Sequence, residues 1–471
     1  MIISRLFRGA PRQDGMGKTH GPLAKIGQNL AWLLAGKGLG AVLSIVYLGL
    51  ATRILGPAGF GQFALVFGLA QTISGIASFQ SWRLIVLYGH DAGASGHKPE
   101  DASSEGHEAG GEAGAEAGGQ VSHSIDSIAN FGFKLDLTAA MIGCVLAAIG
   151  VHLLARPIGW DSQLSRTALL FAIVTLLAVR SSAVGILRFY DRFRDGAAAD
   201  AVMPLTRMAG ALIAAFFFPT VTGFLVAWAA SEVTTATAYW WMVNRNTPVR
   251  IHPWSSPSMR SVIRQHPGIV HFALVTNAGS TLTALIQNLP LLAIGAFTTP
   301  ALAGLYRLAN QLAQAMMRIA DMLSRAIYPE LAKVRARQGQ DAAHDLTRRT
   351  TLLALIGGVV VLLLAIFAGK LAIELVAGPQ FVAAYPILIL LGVGVALELA
   401  GVALEPMLTA SNRAGQVLVI RMIATLALAG TLAVLLPRHG VIGAGWATLI
   451  ASAISLVLFT LSVRRLRTAR F

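Results

Sequence analysis

Apolar runs of about 20 residues recur along this chain from Gly27 to Val463, and that recurrence leaves little choice of fold. A helix of about 20 residues spans the ~30 Å hydrocarbon core of a bilayer. Only 13% of the 471 residues are charged, against roughly 25% in soluble domains. Lipid cannot satisfy open sheet edges, so spanning segments must be helical. The pattern predicts an all-α polytopic membrane protein of twelve spans, at about 28–52, 61–87, 133–155, 165–187, 197–218, 221–242, 268–297, 302–327, 351–376, 385–409, 415–436 and 440–463.

The net charge of +15 falls in short segments between these runs, the signature of positive-inside topology and not of nucleic-acid binding. With the N-terminus inside, inner segments carry 24 Lys and Arg and outer turns carry 5. Both termini are therefore expected in the cytoplasm. Residues 1–25 are basic and polar, without the apolar core and cleavage site of a signal peptide. The single cysteine, Cys144, lies in an apolar run and excludes disulfides and Cys-based metal sites.

The expected organisation is a basic tail (1–27), a six-helix lobe (28–242), a proline-containing interlobe linker (243–267), a second six-helix lobe (268–463) and a second basic tail (464–471). Within the first lobe, residues 90–127 are a Gly, Ala, Glu, His and Ser-rich insert, expected to lie disordered in the cytosol. Residues 328–349 have the pattern of an amphipathic helix on the inner surface.

The two halves are related. Residues Pro57–Ala77 align with Pro300–Ala320 at an offset of 243, with 9 of 21 positions identical, including Pro57/Pro300, Gly61/Gly304 and Gln71/Gln314. Six spans per half inserts both repeats in the same orientation, around an axis normal to the membrane with a central cavity between them.

Chemistry concentrates on a few spans. In span 8, Arg307, Asn310, Gln311, Gln314, Arg318, Asp321 and Arg325 fall on one helix face about 100° wide. Such a face lines either an aqueous cavity or a polar helix–helix seam. Span 7 carries Asn277, Ser280, Thr281 and Asn288 on one face, and small hydroxyl residues also serve as packing glue. The first lobe contributes Lys37, Arg180 and Arg207 within its spans, and Arg83 near a span end. Acids within spans are Asp136, Glu232, Asp321, Glu374, Glu398 and Glu405, each able to serve a structural ion pair with Arg180, Arg207 or Arg421, or a coupling ion.

The candidate substrate-binding residues are therefore Lys37, Arg180, Arg207, Arg307, Asn310, Gln311, Gln314, Arg318, Asn277 and Asn288. Candidate coupling-ion residues are Glu232, Asp321 and Glu398. Excess cation at membrane depth suits an anionic ligand, since guanidinium forks bind phosphate bidentately. No phosphate-cradling glycine loop, catalytic triad or metal-ligand spacing is present, so neither an enzyme nor a cofactor is expected.

The sequence resembles bacterial polysaccharide repeat-unit flippases, of the multidrug/oligosaccharidyl-lipid/polysaccharide exporter superfamily. The resemblance rests on Asn29 and Leu33–Gly38, on Ala51–Gly61 with its Leu-Gly-Pro-x-x-x-Gly element, on Gly185–Phe193 and on Gly304–Ala309. It implies a two-lobed carrier in the bacterial inner membrane that moves undecaprenyl-pyrophosphate-linked oligosaccharide to the outer leaflet by alternating access, with polysaccharide polymerase and chain-length machinery as partners. Lipid II flippases carry arginines in span 1, whereas here Lys37 is the one cation between Asn29 and Thr52. An exopolysaccharide or O-antigen role is thus expected ahead of a peptidoglycan role. The alternatives are a cation-coupled multidrug exporter and a polysaccharide polymerase or glycosyltransferase; the latter needs a larger outer loop than the roughly ten residues available here.

Overall fold

The computed structural model describes residues 22–94, 112–251, 259–316, 355–402, 404–405, 408 and 413–468. All regular structure among them is helical. In chain order the helices are α1 (Pro22–Ala77), α2 (Ser81–Ala94), α3 (Glu112–Ile158), α4 (Ser162–Leu177), α5 (Ser181–Phe189), α6 (Phe193–Phe217), α7 (Val221–Asn246), α8 (Met259–Gln265), α9 (Ile269–Phe297), α10 (300–316), α11 (Leu355–Phe367), α12 (Gly369–Ala377), α13 (Tyr385–Ala400) and α14 (Ala414–Thr468). A 3-10 turn, Pro379–Ala384, joins α12 to α13.

Seven apolar stretches of the described residues are long enough to cross a membrane, and α11 with α12, bent by 63°, makes an eighth. Two of the seven, Val42–Gly89 and Gly415–Arg465, each hold two spans. Helix α7, rendered less apolar by Glu232 and its Ser and Thr neighbours, and α10 complete the twelve. The protein is a polytopic all-α membrane protein of two six-helix lobes.

The two double-length helices fold back at glycine. Gly56 sits at φ 65° and Gly440 at φ 58°, a region that costs a residue with a Cβ 1–2 kcal/mol or so. Pro57 follows Gly56 directly, its fixed φ suited to the first turn of the next limb. The rings of Tyr47 and Phe63, 16 residues apart, lie 6.4 Å from each other, where a straight helix would hold them about 24 Å apart. Other turns are closed by side-chain caps: Asp161 accepts from the Leu164 N–H at 2.6 Å and Thr220 from the Gly223 N–H at 3.1 Å.

Several spans read as continuous are broken. Span 2 ends at Ala77 and restarts at Ser81, span 4 ends at Leu177 and restarts at Ser181, and span 9 bends between α11 and α12. The first two breaks lie side by side because Asp136, on span 3, answers both restarts. Its buried carboxylate accepts from Ser81 Oγ at 2.6 Å and from Ser182 Oγ and N–H at 2.7 and 3.0 Å. At the span 4 restart it takes the Ser182 N–H, a backbone donor that the break frees, and at the span 2 restart it holds the Ser81 hydroxyl while Ser181 Oγ takes the Trp82 N–H at 3.3 Å. The insert is also corrected in part. Helix α3 begins at Glu112, so residues 112–127 are helical, as the Ala and Glu content of Glu112–Ala117 favours. Residues 95–111, the N-terminal tail to residue 21 and the 328–349 segment lie outside the described residues.

The duplicated element is where the lobes meet. A methyl group on Gly61 would collide with the carbonyl of Pro300, and one on Gly304 with the carbonyl of Pro57. Each copy's glycine thus receives the other copy's proline carbonyl, a reciprocal contact about the pseudo-twofold axis. Gly61, Gly68 and Gly75 recur every seven residues on one face of span 2. Gly68 and Gly75 face Leu291 and Ala284 of α9, and Gly295 of α9 takes Leu65 in return. Small residues let helices in lipid approach closely, where dispersion contacts replace the hydrophobic effect as the driving force. A Gly61→Val substitution is expected to lower the thermal midpoint in detergent by several degrees, while Gly279→Ala, whose added methyl meets nothing, leaves it unchanged; fluorescence-detected size exclusion after heating reads both.

Candidate functional site at the lobe interface

Guanidinium groups from the two lobes flank one aromatic pair, and a third joins them through a shared carboxylate. Arg180 stands at the break of span 4, at the start of α5, where the chain turns its side chain toward α7. Its Nη1 pairs with Glu232 Oε2 at 2.5 Å, and Arg207 Nη2 of α6 reaches Glu232 Oε1 at 3.4 Å. Trp228, one turn before Glu232 on α7, donates its indole N–H to Oε1 at 3.3 Å. The Arg207 guanidinium lies 3.6 Å from the centroid of the Trp228 ring, a cation–π contact worth about 0.5–2 kcal/mol. Arg207 is 14% exposed against 32% for Arg180, and its Nε has no partner.

The second lobe completes the group. Arg307 of α10 stands 5.0 Å from the centroid of Phe67 on span 2, and Phe67 packs 4.4 Å from Trp228. A continuous chain of contacts therefore runs from Arg207 through Trp228 and Phe67 to Arg307, crossing from one lobe to the other. Tyr47 and Phe63 support the Trp228 ring at 5.4 and 5.8 Å. Arg307 has no ion pair and no hydrogen bond among the described residues. Arg180 and Arg207 share one carboxylate and Arg307 stands beyond it, so these four groups together carry net positive charge within the bundle. One turn along α10, Gln314 Nε2 donates to Asn310 Oδ1 at 3.5 Å, with both half-buried. Gln311 is also half-buried.

Other residues have different placements. Asn277 and Asn288, expected to line a cavity, sit in the seam between α9 and span 2. Asn277 donates to the carbonyls of Ile76 and Ser78 at 2.7 and 2.9 Å, satisfying two acceptors that the broken span leaves unmet. Asn288 is buried and donates to the Ala284 carbonyl of its own helix. Gln80, at the break, hydrogen-bonds Ser280 of α9. Lys37 lies on the first limb of α1. Arg318 and Asp321 lie outside the described residues.

Of the acids, Glu232 forms the ion pairs anticipated with Arg180 and Arg207, and Glu405 pairs with Arg421 through both oxygens at 2.8 and 2.9 Å. Glu398 accepts from Ser452 Oγ at 3.0 Å within the second lobe, near Tyr306, whose hydroxyl shares a hydrogen bond with Thr448 at 3.2 Å. The position of Asp136 in an apolar run does not reveal its role at two helix restarts. The signal available in the sequence was a serine just past each break, Ser81 and Ser181–Ser182, and serine also favours helix N-termini. Among the described residues, no group of three or more His, Cys, Asp or Glu could hold a metal ion.

This geometry can be set beside known proteins. Residues 122–386 match a family described as "Polysaccharide biosynthesis protein". The chain belongs to that family. It is 27% identical over 369 residues to the inner membrane protein YghQ of Escherichia coli (strain K12), an alignment covering 78% of this chain and 97% of YghQ. Its fold is similar to that of the lipid II flippase MurJ in an inward closed conformation, with a TM-score of 0.64, 12% identity, and coverage of 92% of this chain and 87% of MurJ. It is equally similar to an inward-facing multidrug transporter of the MATE family, with a TM-score of 0.64, 15% identity, and coverage of 91% and 95%. This member of the polysaccharide biosynthesis family thus shares the two-lobed fold of those two proteins, with its cationic cluster on the boundary between the lobes.

Removing the shared carboxylate tests the electrostatics of the cluster. Glu232→Ala leaves the largely buried Arg207 and the more exposed Arg180 without a counter-ion, and breaking a buried pair costs about 3–5 kcal/mol, which applies to the Arg207 side. The thermal midpoint in detergent is expected to fall by several degrees for Glu232→Ala. The double variant Glu232→Ala/Arg207→Ala, which removes the more buried cation as well, recovers part of that loss.

Proposed function

We propose that this protein is a flippase that carries undecaprenyl-pyrophosphate-linked oligosaccharide repeat units from the inner to the outer leaflet of the bacterial inner membrane, for exopolysaccharide or O-antigen assembly. The observation that carries the reading is the convergence of Arg207 and Arg307, from the two lobes, on the Trp228–Phe67 pair, with Arg180 joined to Arg207 through Glu232, the one acid paired with them among the described residues. The ligand that suits such a site has more than one negative charge and presents oxygen acceptors to fork-shaped donors. A pyrophosphate does both. Sugars stack their apolar faces on aromatic rings and exchange hydrogen bonds with amides, which Asn310, Gln311 and Gln314 can supply from the same helix face.

Alternating access follows from the lobe contact. Under the orientation read from the Lys and Arg counts, the Gly61/Gly304 crossing lies at the outer side and closes it. Loading then occurs from the cytoplasmic side. Charge neutralisation supplies the trigger: a bound pyrophosphate offsets the mutual repulsion of cations from opposite lobes and draws those lobes together, which loosens the outer crossing. Arg180 and Arg207 remain anchored by Glu232, whereas Arg307, without a carboxylate partner among the described residues, moves with its own lobe.

In a deletion strain complemented with variants, Arg207→Ala and Arg307→Ala are each expected to reduce surface polysaccharide at least tenfold at wild-type protein levels, with complete lipid-linked repeat units accumulating inside the cell. Normal export from either properly inserted variant would overturn the site assignment. Incomplete repeat units in the deletion strain would instead place the protein earlier, in glycan assembly. The fold it shares with a multidrug transporter keeps a second reading in view. An exporter of cationic drugs would gain from the Phe67–Trp228 pair but be repelled by the surplus arginines. Unchanged drug sensitivity of the deletion strain is the expected result.

A further inference from the structure

We propose that a cleft at the end of α7, separate from the lobe interface, binds an anionic phospholipid of the inner leaflet. The cleft has a volume of about 470 Å³ and runs along one face of the helix, where Thr237, Trp240, Trp241 and Asn244 recur at i, i+3, i+4 and i+7. That face extends about 10 Å along the helix axis. Its opposite wall is the segment that follows α7, carrying Arg250 and Ile251.

The chemistry of the cleft is graded along its length. The α7 face presents indole rings, with Trp240 fixed by donating its N–H to the Val179 carbonyl at 2.8 Å and by packing edge-on against Phe133. The mouth is polar and cationic. Arg250 Nη1 donates to both the carbonyl and the side-chain oxygen of Asn244 at 2.9 Å, which holds its guanidinium at the rim. Arg245 lies 5.1 Å from the centroid of the Trp241 ring, on the exposed surface beside it. None of the described residues that line the cleft is an acid, and the nearby Asp195 accepts from Asn246.

An inorganic anion would use only the mouth. An occupant that fills the whole cleft must be amphipathic, with phosphate at the arginines and glycerol and first methylenes against the indoles. Trp241, more than half exposed at the end of a membrane-spanning helix, is where an interfacial tryptophan meets lipid headgroups. The placement of this end at the inner leaflet rests on the Lys and Arg counts, and anionic headgroups attract juxtamembrane arginines.

Native mass spectrometry of the purified protein, released from detergent with equal amounts of phosphatidylglycerol and phosphatidylcholine of the same chain length, tests the site. The wild-type protein is expected to retain phosphatidylglycerol several-fold over phosphatidylcholine. Trp241→Ala and Arg250→Ala should each lower that retention at least threefold, and Arg438→Ala, in the turn between spans 11 and 12, should not. Should Arg250→Ala misfold, Trp241→Ala and Arg245→Ala, which alter exposed side chains, carry the test. Equal retention of the two lipids, wild-type retention in the variants, or displacement of the lipid by millimolar inorganic phosphate would each overturn the proposal.

Discussion

The reciprocal crossing of Gly61 and Gly304 sets the geometry on which the rest of this structure depends. Two helices in lipid gain nothing from the hydrophobic effect by associating, so their closest approach is decided by what lies on their surfaces. Here each copy of a duplicated element offers a bare backbone to the proline carbonyl of the other. That contact fixes where spans 2 and 8 cross, and the glycine face continuing through Gly68 and Gly75 aligns α9 along span 2. Below the crossing, Phe67 on span 2 and Arg307 on α10 are brought face to face. The scaffold residues that the two copies share thus place in contact the residues at which the copies differ.

Charge at membrane depth is handled in two ways. Glu232 gathers Arg180 and Arg207 and spreads one negative charge between them, while Trp228 covers the second guanidinium with its ring and donates to the same carboxylate. Asp136 is held by hydroxyl and backbone donors at two interrupted helices, with no cation paired to it among the described residues. The first arrangement leaves surplus positive charge at the lobe boundary. The second consumes its charge internally and stitches spans 2, 3 and 4 together. An acid in a membrane span therefore has no fixed meaning until its neighbours are known.

The helix breaks show a related economy. Each interruption frees backbone groups that lipid cannot satisfy. The structure answers them with side chains from elsewhere: Asn277 for the carbonyls of Ile76 and Ser78, Trp240 for that of Val179, Asp136 for the restarts. Asn277, which span 7 presents on its polar face, serves this purpose.

The sequence by itself determined the number and type of the spans, the duplication, and the glycine and proline turns, because these follow from local hydropathy and backbone sterics. It also singled out Arg180, Arg207 and Arg307, since an arginine inside an apolar run is conspicuous wherever it points. It did not reveal which side chains meet. Helical periodicity assigns a residue to a face of its own helix but says nothing about the neighbour, so Asn277 and Asn310 looked alike. Interruption of spans 2 and 4 was hidden for the same reason: hydropathy runs through the breaks unchanged, and the donors and acceptors that make them tolerable come from other helices. Only the tertiary structure decided that Glu232 serves two arginines, that Asp136 serves two helix ends, and that the cations of the two lobes share one pair of aromatic rings.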